Sequence, residues 1–245
     1  MQRSDIINKY YELSHLKDYF SKEIILWFVK NKRTLPWRTK ISQDNFSYLV
    51  LVSEFMLQQT QVKTVIPYFK RFIAKWPSVQ SLAKAKDKEV LMFWQGLGYY
   101  SRGRNLLKSA KVIVSNYSGK IPFKEEELKK LPGVGDYTAA AIRSIAFNKK
   151  AVAIDGNVKR VIARFFGLEG TLESNLNVIE KIADLICPNS NNRNYTQGVM
   201  ELGAIICKPK KPDCAQCVIS KHCIAFSSYK TDSIPLPKKR LQKKK

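Results

Sequence analysis

Four of the five cysteines lie close together, in the spacing Cys207-x6-Cys214-x2-Cys217-x5-Cys223. In a chain of 245 residues with no apolar signal-peptide segment, this spacing favours metal binding over disulfides. Four thiolates suit either tetrahedral zinc or a [4Fe–4S] cluster. Zinc ribbons usually carry two separated Cys-x2-Cys pairs and this chain has one, so the spacing favours the cluster, with zinc as the alternative.

Lysines occupy the same cysteine segment. Lys208, Lys210 and Lys211 all lie between the first and second cysteines. A loop that a metal holds rigid while it presents several ammonium groups is suited to contact a phosphodiester backbone. The sequence therefore predicts a structural metal and a polyanionic partner for this loop.

Two carboxyl residues have settings that favour different protonation states. Asp155 opens a predicted helix, where capping hydrogen bonds and the helix dipole keep a carboxylate ionised. Glu54 lies near the end of the most apolar predicted helix, and apolar surroundings raise the pKa of a carboxyl. Cleavage of a glycosidic bond uses such a pair, one protonated and one ionised. The alternatives are a plain helix cap for Asp155 and a solvated helix edge for Glu54.

A glycine-containing turn lies between these two carboxyls in the chain. Residues 131–135 read Leu-Pro-Gly-Val-Gly, directly before an apolar helix that carries Tyr137. Gly133 and Gly135 allow a tight turn whose backbone N–H groups, at a helix N-terminus, can face a phosphate. An ordinary helix–turn–helix corner is the alternative interpretation.

The overall pattern predicts an all-α fold, because no stretch keeps the period-two alternation of a strand. Apolar periodicity and Pro or Gly breaks predict helices near 16–31, 46–58, 62–75, 88–95, 100–116, 136–147, 155–166, 175–186 and 193–206.

Two helical lobes are expected. Residues 35–150 should form a central domain with the hairpin, and residues 1–34 plus 151–226 a second lobe with the metal loop. Residues 227–245 are predicted to be a basic linker or tail rather than a packed element.

The charge of the chain is strongly positive. There are 43 Lys and Arg against 20 Asp and Glu, a formal net charge of +23, which attracts polyanions. Nucleic acid is favoured over an anionic membrane, because no apolar run approaches the roughly 18 residues of a membrane span. With no signal peptide expected either, the sequence predicts a cytoplasmic, nucleoid-associated protein with no membrane partner.

Several motifs together resemble one family. They are Leu-Pro-Trp-Arg at 35–38, Ser-Glu-Phe-Met-Leu-Gln-Gln-Thr-Gln-Val at 53–62, Gly-Leu-Gly-Tyr-Tyr-Ser-Arg at 96–102, the hairpin, Asp-Gly-Asn-Val at 155–158 and the cysteine spacing. Over about residues 20–225 the chain resembles the MutY-type adenine DNA glycosylases of the helix–hairpin–helix superfamily. The resemblance implies a two-lobed helix–hairpin–helix DNA glycosylase fold with a C-terminal [4Fe–4S] cluster loop. It also implies a base excision repair enzyme that acts, as a monomer, on double-stranded DNA containing adenine mispaired with 8-oxoguanine or guanine.

The resemblance implies roles for individual residues. Glu54 would protonate adenine and later handle the water, and Asp155 would stabilise or transiently trap the sugar cation, supported by Tyr137 and Asn157. The adenine pocket would be lined by Trp37, Arg38, Leu57 and Gln197. The residues that would wedge into the duplex or contact the opposing base are Gln59, Thr60 and Tyr99. Core packing is the alternative for Trp37 and Tyr99.

Related activities are separated by particular residues. The endonuclease III branch has a Lys where this chain has Tyr137, and that amine forms the Schiff base for strand cleavage. The chain is therefore expected to be monofunctional, with little AP lyase activity. The alternatives are a mismatch thymine glycosylase, an oxidised-pyrimidine glycosylase and a non-catalytic DNA-binding iron–sulfur module. The motif around Glu54 favours adenine, and Glu54, Asp155 and Tyr137 together favour an enzyme.

The resemblance is incomplete at the C-terminal end. Members of the family normally continue into a domain resembling a Nudix hydrolase that reads 8-oxoguanine, and this sequence stops at Lys245. We therefore expect weaker discrimination of 8-oxoguanine from guanine than in longer relatives.

Overall fold

The computed structural model describes residues 3–39 and 42–237 of the chain. In these residues the chain is helical and forms no β-strand, which confirms the prediction of an all-α fold. The helices described are α1 (Arg3–Asn31), α2 (Gln43–Leu57), α3 (Val62–Lys75), α4 (Val79–Ala83), α5 (Asp87–Trp94), α6 (Ser101–Asn116), α7 (Glu125–Leu128), α8 (Asp136–Ala141), α9 (Gly156–Phe165), α10 (Leu176–Ile186), α11 (Asn192–Ile205) and α12 (Ile224–Ser227).

Nearly all the long helices lie within a few residues of their predicted bounds. The exception is α1, which begins at Arg3 and not near residue 16. No Pro or Gly interrupts this segment, so the apolar stripe that marks its C-terminal part does not mark its start. The helix predicted over 136–147 is α8 continued by a π-type turn over Ile142–Ala146. Short helices such as α4 and α7 were not predicted, because four or five residues show too little periodicity.

The chain divides into two compact units. One contains α1 and the residues from Ile154 onward, and the other runs from Arg33 to Ala153. The predicted boundaries, at 34/35 and 150/151, lie within three residues of these.

The unit of residues 33–153 is built around α2. Eleven consecutive residues of this helix, from Phe46 to Met56, are buried. A helix that is buried on all sides lies at the centre of its domain, and α2 packs against α3, α6, α8 and the π-type turn. This central position explains how α2 carries a buried glutamate among apolar neighbours.

The other unit packs α1 against α11 and α9 against α10, α11 and α12. Phe20, Ile24 and Phe28 form the predicted apolar stripe of α1, and each is at most 1% exposed. Close packing with α11 depends on Gly198, because a Cβ built there would lie 2.7 Å from Cγ2 of Ile24. The glycine lets the backbones of α1 and α11 approach.

Part of the segment predicted to be a linker is packed, so that interpretation is wrong for residues 230–236. Ile234 is 2% exposed, and its carbonyl accepts a hydrogen bond of 2.8 Å from Nε of Arg164. The amide of Leu236 donates to the carbonyl of Gly170 over 2.8 Å. Prolines at 235 and 237 and the lysines around them predict an extended tail, but one buried isoleucine is enough to anchor it. Residues 238–245 of the predicted tail lie outside the described residues.

Across the described residues, no helix is both long and apolar enough to cross a bilayer.

Candidate functional site

Glu54 lies at the start of the last turn of α2. Glu54 is only 6% exposed, and its neighbours in the sequence, Ser53 and Phe55, are at most 1% exposed. The solvated helix edge considered for this residue is therefore wrong. Glu54 is therefore a buried carboxyl and not a surface glutamate.

The C-terminal end of α2 is linked to the hairpin at 131–135. Nε2 of Gln58 lies 3.3 Å from Oγ1 of Thr138 and 3.5 Å from the carbonyl oxygen of Gly133. Gly133 has a φ of +82°, and a Cβ at this position would lie 2.9 Å from the Phe55 ring. Both the backbone conformation and the contact with α2 therefore require glycine here.

Gly135 has a different role from Gly133. It caps α8 with φ −96° and ψ −173°, an extended conformation that any residue adopts. The conformation of the turn at this position therefore does not require glycine. A Cβ built at Gly135 would have nothing within 4 Å, so the surface beside the backbone is open at this point.

Asp155 caps α9, as the sequence predicts. Its Oδ1 accepts a hydrogen bond of 2.7 Å from the amide of Val158, and its Oδ2 accepts one of 3.0 Å from Nδ2 of Asn157. Both carboxylate oxygens thus have a donor, which fixes the plane of the carboxylate.

Arg160 extends this network to the cysteine segment. One of its terminal nitrogens donates to Oδ1 of Asn157 over 2.8 Å and to the carbonyl of Gly203 over 2.7 Å. Its Nε donates to the carbonyl of Cys207 over 2.8 Å. One buried guanidinium therefore joins the amide that holds Asp155 to the backbone of the first cysteine. Arg160 is 8% exposed, and these contacts direct its guanidinium into the protein.

Arg164, one turn further along α9, holds the segment after the first cysteine. Its NH1 donates to the carbonyl of Lys208 over 2.7 Å and its NH2 to the carbonyl of Pro209 over 3.1 Å. The same NH1 lies 3.4 Å from Sγ of Cys207. This places a positive charge, 2% exposed, beside the sulfur atoms and leaves the side chains of Lys208, Lys210 and Lys211 exposed.

The four cysteines Cys207, Cys214, Cys217 and Cys223 line one cavity. All four thiols are free of disulfides. Burial raises the pKa of the Cys217 thiol to about 12 and also raises the pKa of Cys214 and Cys223. Such thiols become thiolates only when a cationic group binds to them.

The donor set fits a metal group. Four thiols at one cavity could hold either a tetrahedral zinc ion or an iron–sulfur cluster once they are deprotonated. Within the described residues, no three Cys, His, Asp or Glu side chains are arranged so as to hold one metal ion.

Two exposed residues have a left-handed backbone conformation. One follows the end of α2 and the other precedes α6. Gln59 has a φ of +58° and Tyr99 a φ of +47°, and Tyr99 is 62% exposed. Simple core packing is therefore wrong for Tyr99. Thr60 follows Gln59 and is half-buried, with its hydroxyl 3.4 Å from the carbonyl of Gln58.

The remaining predicted pocket residues are mostly buried. Trp37 is 7% exposed and packs edge-to-face on Phe69, with 5.3 Å between ring centroids, as core packing requires. Arg38 donates from NH1 to the carbonyl of Arg33 over 2.8 Å, and Leu57 is half-buried. Gln197, on α11, is 8% exposed and donates to the carbonyl of Arg193 over 3.1 Å. Their contact with a base stays a prediction.

Tyr137 is half-buried on the first turn of α8, and its neighbour Asp136 pairs with Lys129. Nζ of Lys129 lies 2.7 Å from both Asp136 and Glu125. The hydrogen bonds with Asp136 and Glu125 raise the pKa of Lys129. This lysine therefore neutralises carboxylates beside the hairpin.

The buried arginines were the residues that sequence reasoning missed. Arg160 and Arg164 are four residues apart, and every residue from Arg160 to Phe165 is buried. The sequence does contain a signal of their burial, because the two arginines are one turn apart on a helix whose neighbouring residues are mostly apolar.

Comparisons with known proteins agree with this arrangement. A family model described as "HhH-GPD superfamily base excision DNA repair protein" matches residues 52–188. The chain is 40% identical over 225 residues to the adenine DNA glycosylase of Buchnera aphidicola subsp. Schizaphis graminum, which covers 90% of this chain and 63% of that protein. It is 42% identical over 213 residues to the adenine DNA glycosylase of Homo sapiens, which covers 84% of this chain and 39% of that protein.

A solved structure of a thermostable thymine-DNA glycosylase is also similar. It superposes with a TM-score of 0.76 at 30% identity, and the match covers 88% of this chain and 98% of that one. In contrast, the chain spans less than two thirds of the length of the Buchnera and human relatives.

Proposed function

The chain belongs to the HhH-GPD superfamily of base excision DNA repair proteins, and from this we propose that it is a DNA glycosylase that hydrolyses the N-glycosidic bond of adenine mispaired with 8-oxoguanine or guanine. The observation that carries the proposal is the contrast between two carboxyls. Glu54 is buried in an apolar helix, whereas both oxygens of Asp155 are hydrogen-bonded at a helix N-terminus. Identity to adenine DNA glycosylases supports adenine as the base.

The reaction needs a flipped nucleotide, because a stacked base hides its glycosidic bond. Protonated Glu54 donates its proton to a ring nitrogen of adenine, the C1′–N9 bond breaks, and the bonding electrons leave with the base. The ionised Asp155 stabilises the oxocarbenium-like sugar, with Asn157 orienting its carboxylate and Tyr137 in support. Water then adds to C1′ and gives a proton to Glu54, which restores the starting state.

Further residues bind the substrate. Trp37, Arg38, Leu57 and Gln197 line the adenine pocket, and Gln59, Thr60 and Tyr99 separate the bases or contact the one opposite adenine. The exposure of Tyr99 supports that role. Backbone N–H groups of the hairpin at Gly133 and Gly135 bind a phosphate, and the open space beside Gly135 supports close approach. Exposed Lys208, Lys210 and Lys211 contact the backbone of a second stretch of the duplex.

A [4Fe–4S] cluster is held by Cys207, Cys214, Cys217 and Cys223. When bound, it supplies rigidity to the loop and no chemistry at the sugar. The guanidinium of Arg164 beside Cys207 offsets the negative charge of the thiolates. Arg160 then connects the backbone of this loop to Asn157 and so to the orientation of Asp155.

Anaerobically purified protein is expected to contain about four iron atoms and four labile sulfides per chain, with a brown colour and visible absorbance. Metal analysis and a sulfide assay measure this directly. The Cys187→Ser variant is the matched control, since Cys187 lies outside the cavity lining and its loss should leave the iron content unchanged. Stoichiometric zinc without sulfide would contradict the cluster.

Strand cleavage is expected to be negligible without alkali. Tyr137 stands where an amine would be needed to form a Schiff base, so the product should be an intact strand with an abasic site. Gel analysis of the same reaction with and without alkali measures the difference. Equal cleavage in both samples would show a bifunctional enzyme.

The proposal is tested with duplexes that contain adenine opposite 8-oxoguanine, adenine opposite guanine, thymine opposite guanine, or thymine glycol. Base release is expected from the two adenine duplexes. The similarity to a thymine-DNA glycosylase makes thymine the second candidate base, and release from the thymine–guanine duplex alone would favour it.

A further inference from the structure

Arg102, at the start of α6, binds two separate segments of its unit. The residue is 6% exposed, and its guanidinium donates to five backbone carbonyls. NH1 donates to the carbonyls of Met56 (2.9 Å), Phe55 (3.3 Å) and Gln58. NH2 donates to the carbonyls of Leu97 and Gly98, both over 3.1 Å. One side chain thus binds the end of α2 and the loop before α6 at once.

The carbonyls it binds at the end of α2 have no partner within the helix. The last carbonyls of any helix lack an intrahelical donor and carry a partial negative charge. The guanidinium of Arg102 supplies hydrogen-bond donors to these carbonyls and a positive charge that offsets their partial negative charge. It therefore fixes where α2 ends. Gln58, the C-cap of α2, is followed immediately by Gln59 in the left-handed conformation.

The loop before α6 is held in the same way. The carbonyl of Gly98 accepts from Arg102 and also from Nε1 of Trp94 over 3.2 Å. Tyr99 follows with a φ of +47°, and its ring lies over the guanidinium with 5.4 Å from Cζ to the centroid. The ring of Trp94 lies 5.7 Å from the same carbon. Arg102 therefore contacts the residue directly before each left-handed residue, and also the ring of Tyr99.

We propose that Arg102 is a positioning residue that holds Gln59 and Tyr99 as one rigid wedge, so that both enter the duplex together and unstack the mispaired base. The inference rests on the proposed action on duplex DNA. A left-handed conformation is strained in residues other than glycine and persists only where the surroundings impose it. The guanidinium of Arg102 imposes the left-handed conformation on Gln59 and Tyr99 by binding the backbone directly before each of them.

The planar fork is essential to this role. Arginine presents five N–H donors in fixed directions, whereas lysine presents three on a single nitrogen atom. Arg102→Lys keeps the charge and part of the burial but cannot bind both segments at once. This variant therefore distinguishes the effect of holding the two segments in place from the effect of the positive charge.

The test combines two measurements on duplexes with 2-aminopurine beside the mispair, whose fluorescence rises when it unstacks. In Arg102→Lys we expect most of the stopped-flow fluorescence rise to be lost, and the rate constant for base release at saturating enzyme to fall by about 10²-fold. The dissociation constant should change little, because phosphate contacts supply most of the affinity. In a Gln59→Ala, Tyr99→Ala background, Arg102→Lys should cause no further loss, because coupled residues are non-additive.

Arg143→Met is the matched control. Arg143 lies in the same unit and is partly buried, but it binds Glu125 over 3.0 Å and neither wedge segment. Its loss should lower the melting temperature without reducing the fluorescence rise. A full rise in Arg102→Lys, or a loss that adds to that of the wedge variant, would overturn the proposal.

Two further readouts cover the other outcomes. If the Arg102→Lys variant does not fold, hydrogen exchange of the wild-type chain tests the proposal instead. The backbone amides of residues 57–60 and 97–99 should then exchange as slowly as those inside α6. Exchange as fast as in an unstructured peptide would contradict a rigid wedge. The fluorescence rise does not require adenine release, so a wild-type chain that unstacks the duplex but releases another base refutes the proposed substrate and leaves the role of Arg102 intact.

Discussion

In the Glu54→Gln variant we expect adenine release to slow by about 10²–10⁴-fold, with duplex binding retained. Glutamine has nearly the same shape as the protonated acid, so the buried end of α2 should pack as before. It cannot donate an acidic proton, and adenine would have to leave as a poor, unprotonated leaving group. Single-turnover kinetics and a binding titration on the same duplex measure the two effects separately.

The control for this variant is Glu126→Gln. Glu126 lies on the exposed side of α7 in the same unit and receives the same substitution of a carboxyl by an amide. The rate constant of adenine release by the Glu126→Gln variant should equal that of the wild type. A Glu54→Gln enzyme that keeps its full rate would remove Glu54 from the mechanism, and one that loses binding would show that the residue is structural.

Asp155→Asn is expected to lower the rate constant of base release by about 10²–10³-fold, as removal of one electrostatic stabiliser does elsewhere. Asparagine is as good a helix cap as aspartate, and its oxygen can still accept from the amide of Val158. The variant therefore keeps the start of α9 and removes the negative charge proposed to stabilise the sugar cation, together with the acceptor for Nδ2 of Asn157. The melting temperature should change little while activity is lost.

Asp184→Asn provides the matched comparison. Asp184 lies exposed on α10 in the same unit, and its substitution removes an equal charge without touching a cap. We expect wild-type kinetics from it. Activity retained in Asp155→Asn would mean that capping α9 is the only role of this residue.

The positions of the long helices were predictable from the sequence, because each contains enough turns for its apolar period to show. The helix predicted over 62–75 forms over Val62–Lys75, and Asp155 caps α9 as a Ser, Thr, Asp or Asn before an apolar run predicts. The cavity lined by four cysteines likewise follows their spacing.

Contacts between distant segments were not predictable. The sequence places Arg102 in a motif and Arg160 in a basic pair, but only the fold shows that both are buried and bind carbonyls up to 47 residues away. Burial of a charge depends on whether partners surround it, which no local pattern reports. The same limit explains why the packed Ile234 was assigned to a linker.

Base release from the adenine–8-oxoguanine duplex, measured beside a matched thymine–guanine duplex, tests the central claim most directly. The account predicts release of free adenine from the first duplex, with the strand intact until alkali is added, and no thymine from the second. Thymine release without adenine release, or no release from any duplex by protein that binds them, would contradict it.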